Sequence, residues 1–571
     1  MASYSVQETR SGHKTLVHHN NREVRLHSGY DPLKEAERAV SAFDKGRASI
    51  IVVSGVALGY HLPLIKIKYP SATVIALEHD REAADICSST YPDHLKGIAV
   101  IPPGSAVENM FEEADMADFR GLAHYVHRPS YALYPDFYDS AFNDINRFFI
   151  SKISDLLTRF EFEILWITNI LKNMHHVFNS GHVERLFGKF KGYPGIIVSA
   201  GPSLRKNLHV LAELQDKAVL VCVDTAFRVL NRKGITPHLV MTLDAQKHSI
   251  KHFLGTKKPL PCLLADLVSY PSITRSYEGS KIFSTTSKFY SDTQGNTKRE
   301  TTPLIDWIEQ YVPPIGDIQS GGSVATSAFD LLLNLGCSPI ILVGQDLAYT
   351  GREIHCSGTH HNDDWLTMIN RCLNLDTINQ KVVRKRKIKR VESVNNETVI
   401  SDFVFDLYKS WFEDSAAKVP VPVINATEGG ARIRNTREEK LSDLASSLKT
   451  KKPAPGVIID RNCRGGDHAS TEKFTAALEQ AIHHLNDIQS LSSEALRDAS
   501  PRKADTALEK ISKAGLVQAF NPFLKKTDMA IARQDIDPDR AAHMILSAIA
   551  AAAQKLTGLF EQCHRDMLNL K

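Results

Sequence analysis

This chain has little cysteine order, no excess of charge and no long apolar run, and each absence removes a class of protein. The eight cysteines stand singly at Cys87, Cys222, Cys262, Cys337, Cys356, Cys372, Cys463 and Cys563. With no CxxC pair among them, the usual zinc modules and a disulfide framework are excluded, and buried reduced thiols are expected. The 69 basic and 65 acidic side chains leave a net charge of +4, so no chain-wide field favours nucleic acid or a membrane surface. Any anionic ligand has to be met by local groups. No uninterrupted apolar run reaches the roughly 18 to 20 residues of a membrane span, and Met1 to Arg25 lacks an apolar signal core. A cytoplasmic protein without a membrane span is therefore expected. Solenoid-length repeats and long low-complexity tracts are also missing.

What is present is core-forming sequence: 571 residues, 43% of them apolar, enough for several buried cores. The pattern divides into an N-terminal α/β domain with a connecting helix (1–180), a central domain (181–434) and a C-terminal helical domain (435–571). In the first, the run Ser49 to Ser54 opens into Gly55-Val56-Ala57-Leu58-Gly59, a helical pattern and a second strand, Thr73 to Leu77, closed by Glu78. This is the opening of a nucleotide fold. It lacks a glycine where pyrophosphate normally approaches, so a scaffold without ligand and a site for an adenosyl cofactor both stay open. In the last, three helical stretches lie within residues 470–570, beyond a Lys/Pro-rich linker at 449–456.

The central domain repeats the opening. Strand Gly195 to Val198 leads through Ser199-Ala200-Gly201-Pro202-Ser203 into a helical pattern from Leu204. A second strand, Ala218 to Val223, ends on Asp224, twenty-three residues after Gly201, the spacing of an acid that meets a ribose or base. Further apolar runs at Leu239 to Leu243, Pro261 to Leu264, Lys281 to Phe283, Pro339 to Val343 and Val421 to Ile424 alternate with helical stretches. That alternation predicts a mostly parallel sheet covered on both faces.

Three loops then gather at the carboxyl ends of its strands, where open α/β sheets bind ligands. The amides of the Gly201-Pro202-Ser203 turn and the Ser203 hydroxyl face a phosphate or cap the next helix. Gln319-Ser320-Gly321-Gly322-Ser323 precedes the helix Val324 to Leu335 and makes a second anion site. Gly344-Gln345-Asp346 with Tyr349, His355, His360 and His361 has groups for general acid–base work, although Asp346 equally suits a structural role on loop amides. Asn425, Thr427 and their neighbours up to Gly430 add amide and hydroxyl donors. The basic run Lys381 to Arg390 reads as a solvated helix or lid, with direct contact to an anionic substrate as the alternative.

Taken together, Ala200-Gly201-Pro202-Ser203-Leu204, Val223-Asp224-Thr225-Ala226, Lys233-Gly234-Ile235-Thr236-Pro237 followed by Leu243-Asp244, Gly321-Gly322-Ser323-Val324-Ala325, Leu342-Val343-Gly344-Gln345-Asp346-Leu347 and Asn425-Ala426-Thr427-Glu428-Gly429-Gly430 resemble the motility-associated factor (Maf) family of flagellin glycosyltransferases. The central segments are more faintly similar to bacterial sialyltransferases. The resemblance implies an α/β fold whose central domain is a Rossmann-like variant of the GT-A glycosyltransferase fold. It implies inverting transfer of a nonulosonic acid, pseudaminic or legionaminic, from its CMP-activated donor to Ser or Thr of flagellin in the bacterial cytosol.

Carried over by position, Gly201 and Ser203 fall on the nucleotide-phosphate turn, with Asp224 where sialyltransferases place an asparagine. Ser320 and Gly321 match the pair that meets the donor carboxylate. Tyr349 lies within one residue of a tyrosine that steadies the departing phosphate. Where the sialyltransferases carry a histidine base, this chain has Asn395-Asn396-Glu397-Thr398, so Glu397 or a histidine of the Asp346 loop, His355 among them, stands in its place. The resulting donor-binding set is Gly201, Pro202, Ser203, Asp224, Thr225, Asp244, Ser320, Gly321, Gly322, Ser323, Gln345, Asn425 and Thr427. The catalytic set is Asp346, Tyr349, His355 and Glu397. No metal or other cofactor is obligatory in this scheme, and magnesium is compatible with it but not implied. Three rivals remain: a hydroxymethylpterin pyrophosphokinase-like enzyme, a methyltransferase using S-adenosylmethionine at Gly55 to Glu78, and a non-catalytic flagellin chaperone. The oligomeric state is open.

Overall fold

The computed structural model describes residues 3–20, 22–102, 119–291, 297–463, 465, 468–497, 502–534 and 536–569, with backbone only for 151–161, 290–291, 468–469, 502, 529 and 532–534. Contacts divide the chain into two units: Met1–Glu161 with Lys525–Ala541, and Phe162–Leu524 with Ala542–Lys571.

The first unit holds two sheets. Strands β1 (Ser3–Glu8), β2 (Lys14–His19) and β3 (Glu23–Arg25) form an antiparallel meander. Strands β4 (Ile50–Ser54), β5 (Thr73–Leu77), β6 (Ala99–Ile101) and β7 (Leu122–Val126) form a parallel sheet in the order β6-β5-β4-β7. The near-continuous apolar run of β4 is buried throughout, as suits a parallel strand covered on both faces.

The second unit is built on a larger sheet. Its strands are β8 (Gly181–His182), β9 (Gly195–Val198), β10 (Val219–Val223), β11 (Leu239–Thr242), β12 (Cys262–Asp266), β13 (Lys281–Ser291), β14 (Thr297–Thr301), β15 (Asp317–Gln319), β16 (Ile340–Val343), β19 (Val423–Asn425) and β20 (Arg437–Glu438), while β17 (Ile388–Glu392) and β18 (Thr398–Asp402) form a separate hairpin. The main order is β14-β13-β12-β11-β10-β9-β16-β19-β20. All neighbours are parallel except β14 on β13. The chain thus steps outward from β9 to β13, returns, and continues from β16 on the other side of β9. Strand order reverses between β9 and β16, the place where open α/β sheets leave a crevice.

The local sequence explains these elements. Ile196, Ile197, Leu220, Val221, Leu263, Ile341 and Leu342 are fully buried, each worth about 1.5–3 kcal/mol of transfer from water. Helix Val324–Leu335 begins at Ser323, whose side chain accepts the Thr326 amide in a capping box. It ends at Gly336 in the left-handed region, φ 88°, where a Cβ is disfavoured.

The C-terminal segment, 435–571, departs from the expected separate helical domain. Phe474 of helix His468–Arg497 and Phe560 of helix Pro538–Leu568 both pack on Trp307, with ring centroids 5.7 and 5.5 Å away, and join the core of the large sheet. Among the described residues, helix Pro538–Leu568 is long and apolar enough to cross a bilayer by length and composition, which the sequence pattern did not predict. Its Ile549, Ala552, Leu556, Phe560, Cys563 and Met567 are buried in that core.

Candidate functional site

The loops after β9, β10, β11, β16 and β19 all leave the carboxyl edge of the large sheet, and the reversal of strand order brings the first and fourth together. Gly201 donates its amide to Gly344 O at 2.8 Å. A Cβ at Gly201 would lie 2.0 Å from Asp346 Oδ1 and 2.5 Å from Gly344 O, so only glycine permits this approach. Ser199 Oγ donates to Gln345 Oε1 at 2.5 Å.

Asp346 closes the turn. Its carboxylate accepts the Ser203 amide (3.2 Å), the Ser203 hydroxyl (2.6 Å) and the Thr350 hydroxyl (2.6 Å), and it is 2% exposed. Burial raises its pKa against the lowering effect of these hydrogen bonds. This corrects two expectations. The turn does hold an anion, but the anion is the protein's own carboxylate: Ser203 is engaged and buried, and Asp346 is an internal clasp rather than a free acid or base. Gly430, φ 78°, packs behind it, with a Cβ position 2.2 Å from Asp346 O.

Asp224 lies at the end of β10, 4% exposed, accepting the Thr225 amide (2.7 Å), the Thr225 hydroxyl (3.2 Å) and the Thr242 hydroxyl (2.9 Å). Burial raises its pKa. Asp244, after β11, accepts the Gln246 amide at 2.8 Å and faces His248 at 3.2 Å, and burial raises its pKa too. Beside them stands a histidine cluster. His252 and His360 meet through their Nδ1 atoms at 3.0 Å, and His361 stacks on His355 and lies tilted against His360, with ring centroids 4.9 and 3.8 Å apart. Ion pairs from Arg228 and Arg232 to Asp363 (2.7 and 2.6 Å) hold helix His360–Leu366 in place.

Desolvation, reinforced by the neighbouring imidazoles, lowers His252, His355 and His360 to about 3. A base this weak is poorly matched to proton abstraction near neutral pH, which argues against His355 as the catalytic base. Among the described residues no group of three or more His, Cys, Asp or Glu side chains is placed to hold a metal ion.

The remaining expected residues form a third cluster. Tyr349 is buried and donates its phenol to Asp402, which caps helix Phe403–Lys418 and faces Arg386 at 3.5 Å. Burial and that hydrogen bond push the phenol pKa up, so Tyr349 is not a free donor to a leaving phosphate. In the Ser320 loop, the amides of Gly321 and Ser323 donate to Thr326 Oγ1 (3.0 and 3.2 Å), and that of Gly322 donates to Ser320 Oγ (3.2 Å). The aromatic rings of helix Phe403–Lys418 cover this loop, because a Cβ on Gly321 would lie 2.5 Å from Trp411 and one on Gly322 3.1 Å from Tyr408. The amides of Gly321, Gly322 and Ser323 are thus satisfied internally, against the expected anion cradle. Glu397 is exposed in the turn before β18, a strand's length from Asp402.

One loop links the three clusters: Thr350 bonds to Asp346, the Cys356 amide donates to Ala200 O (2.8 Å), His355 joins the histidines and Tyr349 reaches Asp402. Asn425 ends β19 and Thr427 follows it, where Thr427 Oγ1 accepts the Gln345 amide at 3.2 Å and Asn425 Oδ1 accepts the Thr427 amide at 3.1 Å. Beside them is a hollow of about 360 Å3 reaching Lys206 and Lys440. A larger hollow, about 740 Å3, lies away from the reversal, between Lys172, His176, Arg275 and Asp566. Sequence patterning missed Thr242, Asp402, Trp411 and Lys206. Of these only Asp402, ahead of the helical spacing that starts at Phe403, carried a local signal, that of an N-cap.

In the first unit the glycine loop is filled. Glu78 accepts the amides of Val56 (2.8 Å) and Ala57 (3.3 Å) and the Tyr138 hydroxyl (3.0 Å). The Leu58 amide donates to His27 Nε2 at 2.9 Å, and a Cβ on Gly55 would lie 2.4 Å from Ser130 Cβ. The donors an adenosyl cofactor needs are taken, so the methyltransferase alternative is not supported.

Comparison with known proteins places this geometry. Residues 168–352 match the family described as 6-hydroxymethylpterin diphosphokinase MptE-like. An uncharacterized protein of Treponema pallidum (strain Nichols) is 22% identical over 239 residues, covering 39% of this chain and 61% of its own length. The chain thus spans about three fifths of that relative. A solved MAf glycosyltransferase from Magnetospirillum magneticum AMB-1 aligns with 99% of this chain and 91% of its own, at a TM-score of 0.52 and 13% identity. The resemblance to the Maf family read from the sequence is therefore met by a likeness of fold along nearly the whole chain.

Proposed function

We propose that the protein is a glycosyltransferase that moves a nonulosonic acid, pseudaminic or legionaminic, from a CMP-activated donor to Ser or Thr of flagellin, with inversion. The observation that carries this reading is the reversal of strand order between β9 and β16, which collects polar loops on one edge of the sheet of a chain that shares its fold with a Maf glycosyltransferase. An inverting transfer through an oxocarbenium-like transition state needs the nucleotide held, the sugar held and the acceptor hydroxyl presented opposite the leaving phosphate.

Asp224, Thr225 and Asp244 are the groups nearest a nucleotide laid over β10 and β11. The Asp346 clasp sets the turn on which the phosphate would lie, and Ser320, partly exposed, keeps a hydroxyl proton to donate. Neither His355, whose basicity desolvation lowers, nor clasped Asp346 suits the acceptor's proton, so exposed Glu397 is the remaining candidate of the four named catalytic residues. The site is proposed to work in the cytoplasm, without an obligatory metal.

Flagellin incubated with the protein and a CMP-activated nonulosonic acid is expected to gain the sugar's mass at Ser or Thr, and an unchanged flagellin mass would sink the proposal. A second reading, pyrophosphoryl transfer to a hydroxymethyl pterin, draws on the match over residues 168–352. Calorimetry separates the two, because the glycosyltransferase binds CMP in preference to ATP and the pyrophosphokinase the reverse.

A further inference from the structure

We infer that the larger hollow, between helix Pro135–Phe178 and helix Pro271–Ser276, is a binding site for a small organic phosphate, separate from the crevice at the strand reversal. The inference goes beyond the transferase reading and does not rest on it. The hollow holds about 740 Å3, within the range of small-molecule sites. The residues that line it all belong to the second unit.

Positive groups converge there with a single carboxylate among them. Lys172 and Arg275 line the hollow from the two helices, and both are exposed. Among the described residues neither has a hydrogen bond or an ion pair. His175 and His176 line it too, with ring centroids 5.0 Å apart. Desolvation lowers His176 to about 4, and repulsion from His175, Lys281 and Arg275 adds to the lowering, with only Asp566 acting against it. The Arg275 guanidinium and the Lys281 ammonium, at the start of β13, therefore act on one imidazole. Asp566 forms no ion pair with them and accepts Gln562 Nε2 at 2.8 Å. Like charges gathered in a partly desolvated hollow repel, and a bound anion offsets that repulsion.

The wall between the helices is set by the protein itself. Buried Asn169 donates to Ala245 O (3.0 Å) and Val268 O (2.8 Å), and the Tyr270 amide donates to Asp244 O (3.0 Å).

The chemistry of the ligand follows from these groups. A phosphomonoester carries about 1.5 to 2 negative charges near neutral pH and three acceptor oxygens. That matches the two permanent cations, and the imidazoles add N–H donors. A carboxylate brings less charge and fewer acceptors. A bare cation meets repulsion from Lys172 and Arg275, and among the described residues no group of three or more His, Cys, Asp or Glu is placed to hold a metal. The hollow is also far larger than a phosphate ion. Leu165, Pro271 and half-buried Tyr270 offer an apolar wall to the rest of the molecule, with the Ser272 hydroxyl beside it.

The test titrates the full chain with phenyl phosphate, benzoate and CMP by calorimetry. Phenyl phosphate is expected to bind, and benzoate to bind at least about tenfold more weakly. Arg275→Ala and Lys172→Ala, both at exposed positions, are each expected to weaken phenyl phosphate about tenfold and to leave CMP binding as in wild type. Asp566→Asn removes the opposing carboxylate and is expected to strengthen phenyl phosphate about threefold, a gain that damage to the fold does not produce. No binding of phenyl phosphate overturns the site, as does binding that none of the three variants changes. Benzoate binding as tightly as phenyl phosphate overturns the choice of phosphate. Equal weakening of CMP in Arg275→Ala and Lys172→Ala overturns the separation from the crevice. Phenyl phosphate binding that responds to the variants, in a protein that does not bind CMP, keeps this site and sinks the CMP donor.

Discussion

The molecule contains the same opening twice, and the two copies differ in what they leave free. In each, a parallel strand ends in a glycine turn whose amides are taken by a carboxylate from another strand: Glu78, following β5, in the first unit, and Asp346, following β16, in the second. Around the first turn, His27, His61 and His127 pack ring against ring, 5.0 Å apart from His127 in each case, and Tyr138 completes the coordination of Glu78. The amides of Val56, Ala57 and Leu58 are thus taken within the protein. Around the second turn the neighbouring loops keep unpaired polar atoms at Asn425 and Asn207 beside a hollow. A glycine in such a turn reports that something approaches the backbone closely, and whether that something is a ligand or the protein's own acid is decided by residues far away in sequence.

The sharpest way to break this comparison is to put a methyl group into each turn. Gly201→Ala forces its Cβ onto Asp346 and the backbone of Gly344, and Gly55→Ala forces a Cβ onto Ser130 at φ 94°. Each is expected to destabilise its own unit by roughly 4 kcal/mol or more, the range of severe core clashes. Urea unfolding followed by hydrogen exchange resolves the units. Equal loss of protection in both units from either variant would erase the distinction between them.

Acid comes next. Desolvation lowers His252 to about 3 in the second unit and His127 to about 4 in the first. A lowered histidine leaves the unfolded chain as the better proton acceptor below pH 6.5, so its contribution to stability is complete above that pH and is lost as pH falls toward 3 or 4. Buried carboxylates with raised values, Glu78, Asp224 and Asp346 among them, act the other way: their contribution is complete below their unfolded values and is lost as pH rises through the folded ones. His252→Gln and His127→Gln are each expected to reduce the pH slope of stability between pH 6 and 4.5 by about 1.4 kcal/mol per pH unit. Chemical denaturation at stepped pH measures this, and an unchanged slope in His252→Gln would mean that this imidazole titrates normally.

The large sheet was legible because its strands are buried on both faces and bounded by turn residues. β9 and helix Val324–Leu335 lie at the bounds that periodicity predicts. The N-terminal meander was not, since Ser3–Glu8 and Lys14–His19 are short and rich in polar residues, although Thr15 to His18 are buried. The hairpin β17-β18 was hidden for a similar reason: its basic residues are exposed, and a basic run reads equally as helix or lid. At the site, spacing located the turns at Gly201, Ser320 and Asp346 but misjudged their contents. Asp346 reaches Ser203 across 143 positions, and Trp411 covers Gly321 from a helix ninety positions on. Neither contact leaves a local mark in the sequence. The separate C-terminal domain was a compositional inference, and Trp307 undoes it by packing on both Phe474 and Phe560.

Neutralising the two clasps tests whether only one of them supports chemistry. Asp346→Asn keeps the shape but replaces one acceptor oxygen with an N–H group that opposes the Ser203 or Thr350 hydroxyl. The displaced turn is expected to lower kcat/KM for transfer by about 10- to 100-fold, the scale of small misplacements near a reacting bond. Glu78→Gln is expected to stay within about twofold. A comparable loss in both would make the first unit part of the catalytic apparatus.

The smallest effects come from deleting single hydroxyls. Ser203→Ala removes a 2.6 Å hydrogen bond from Asp346, and Tyr138→Phe removes a 3.0 Å one from Glu78. Both acceptors are buried, so each loss is expected to cost about 1–3 kcal/mol of stability and to raise the pKa of the carboxylate that loses its donor. The two variants should therefore look alike in a denaturation curve. Calorimetry with CMP is where they part: Ser203→Ala alters the turn on which the proposed phosphate lies and weakens binding, whereas Tyr138→Phe leaves it unchanged because the turn it supports has no ligand to hold. If CMP affinity were instead insensitive to Ser203→Ala, the clasped turn of the second unit would be scaffold as well, and the nucleotide would have to be held by Asp224, Thr225 and Asp244 alone.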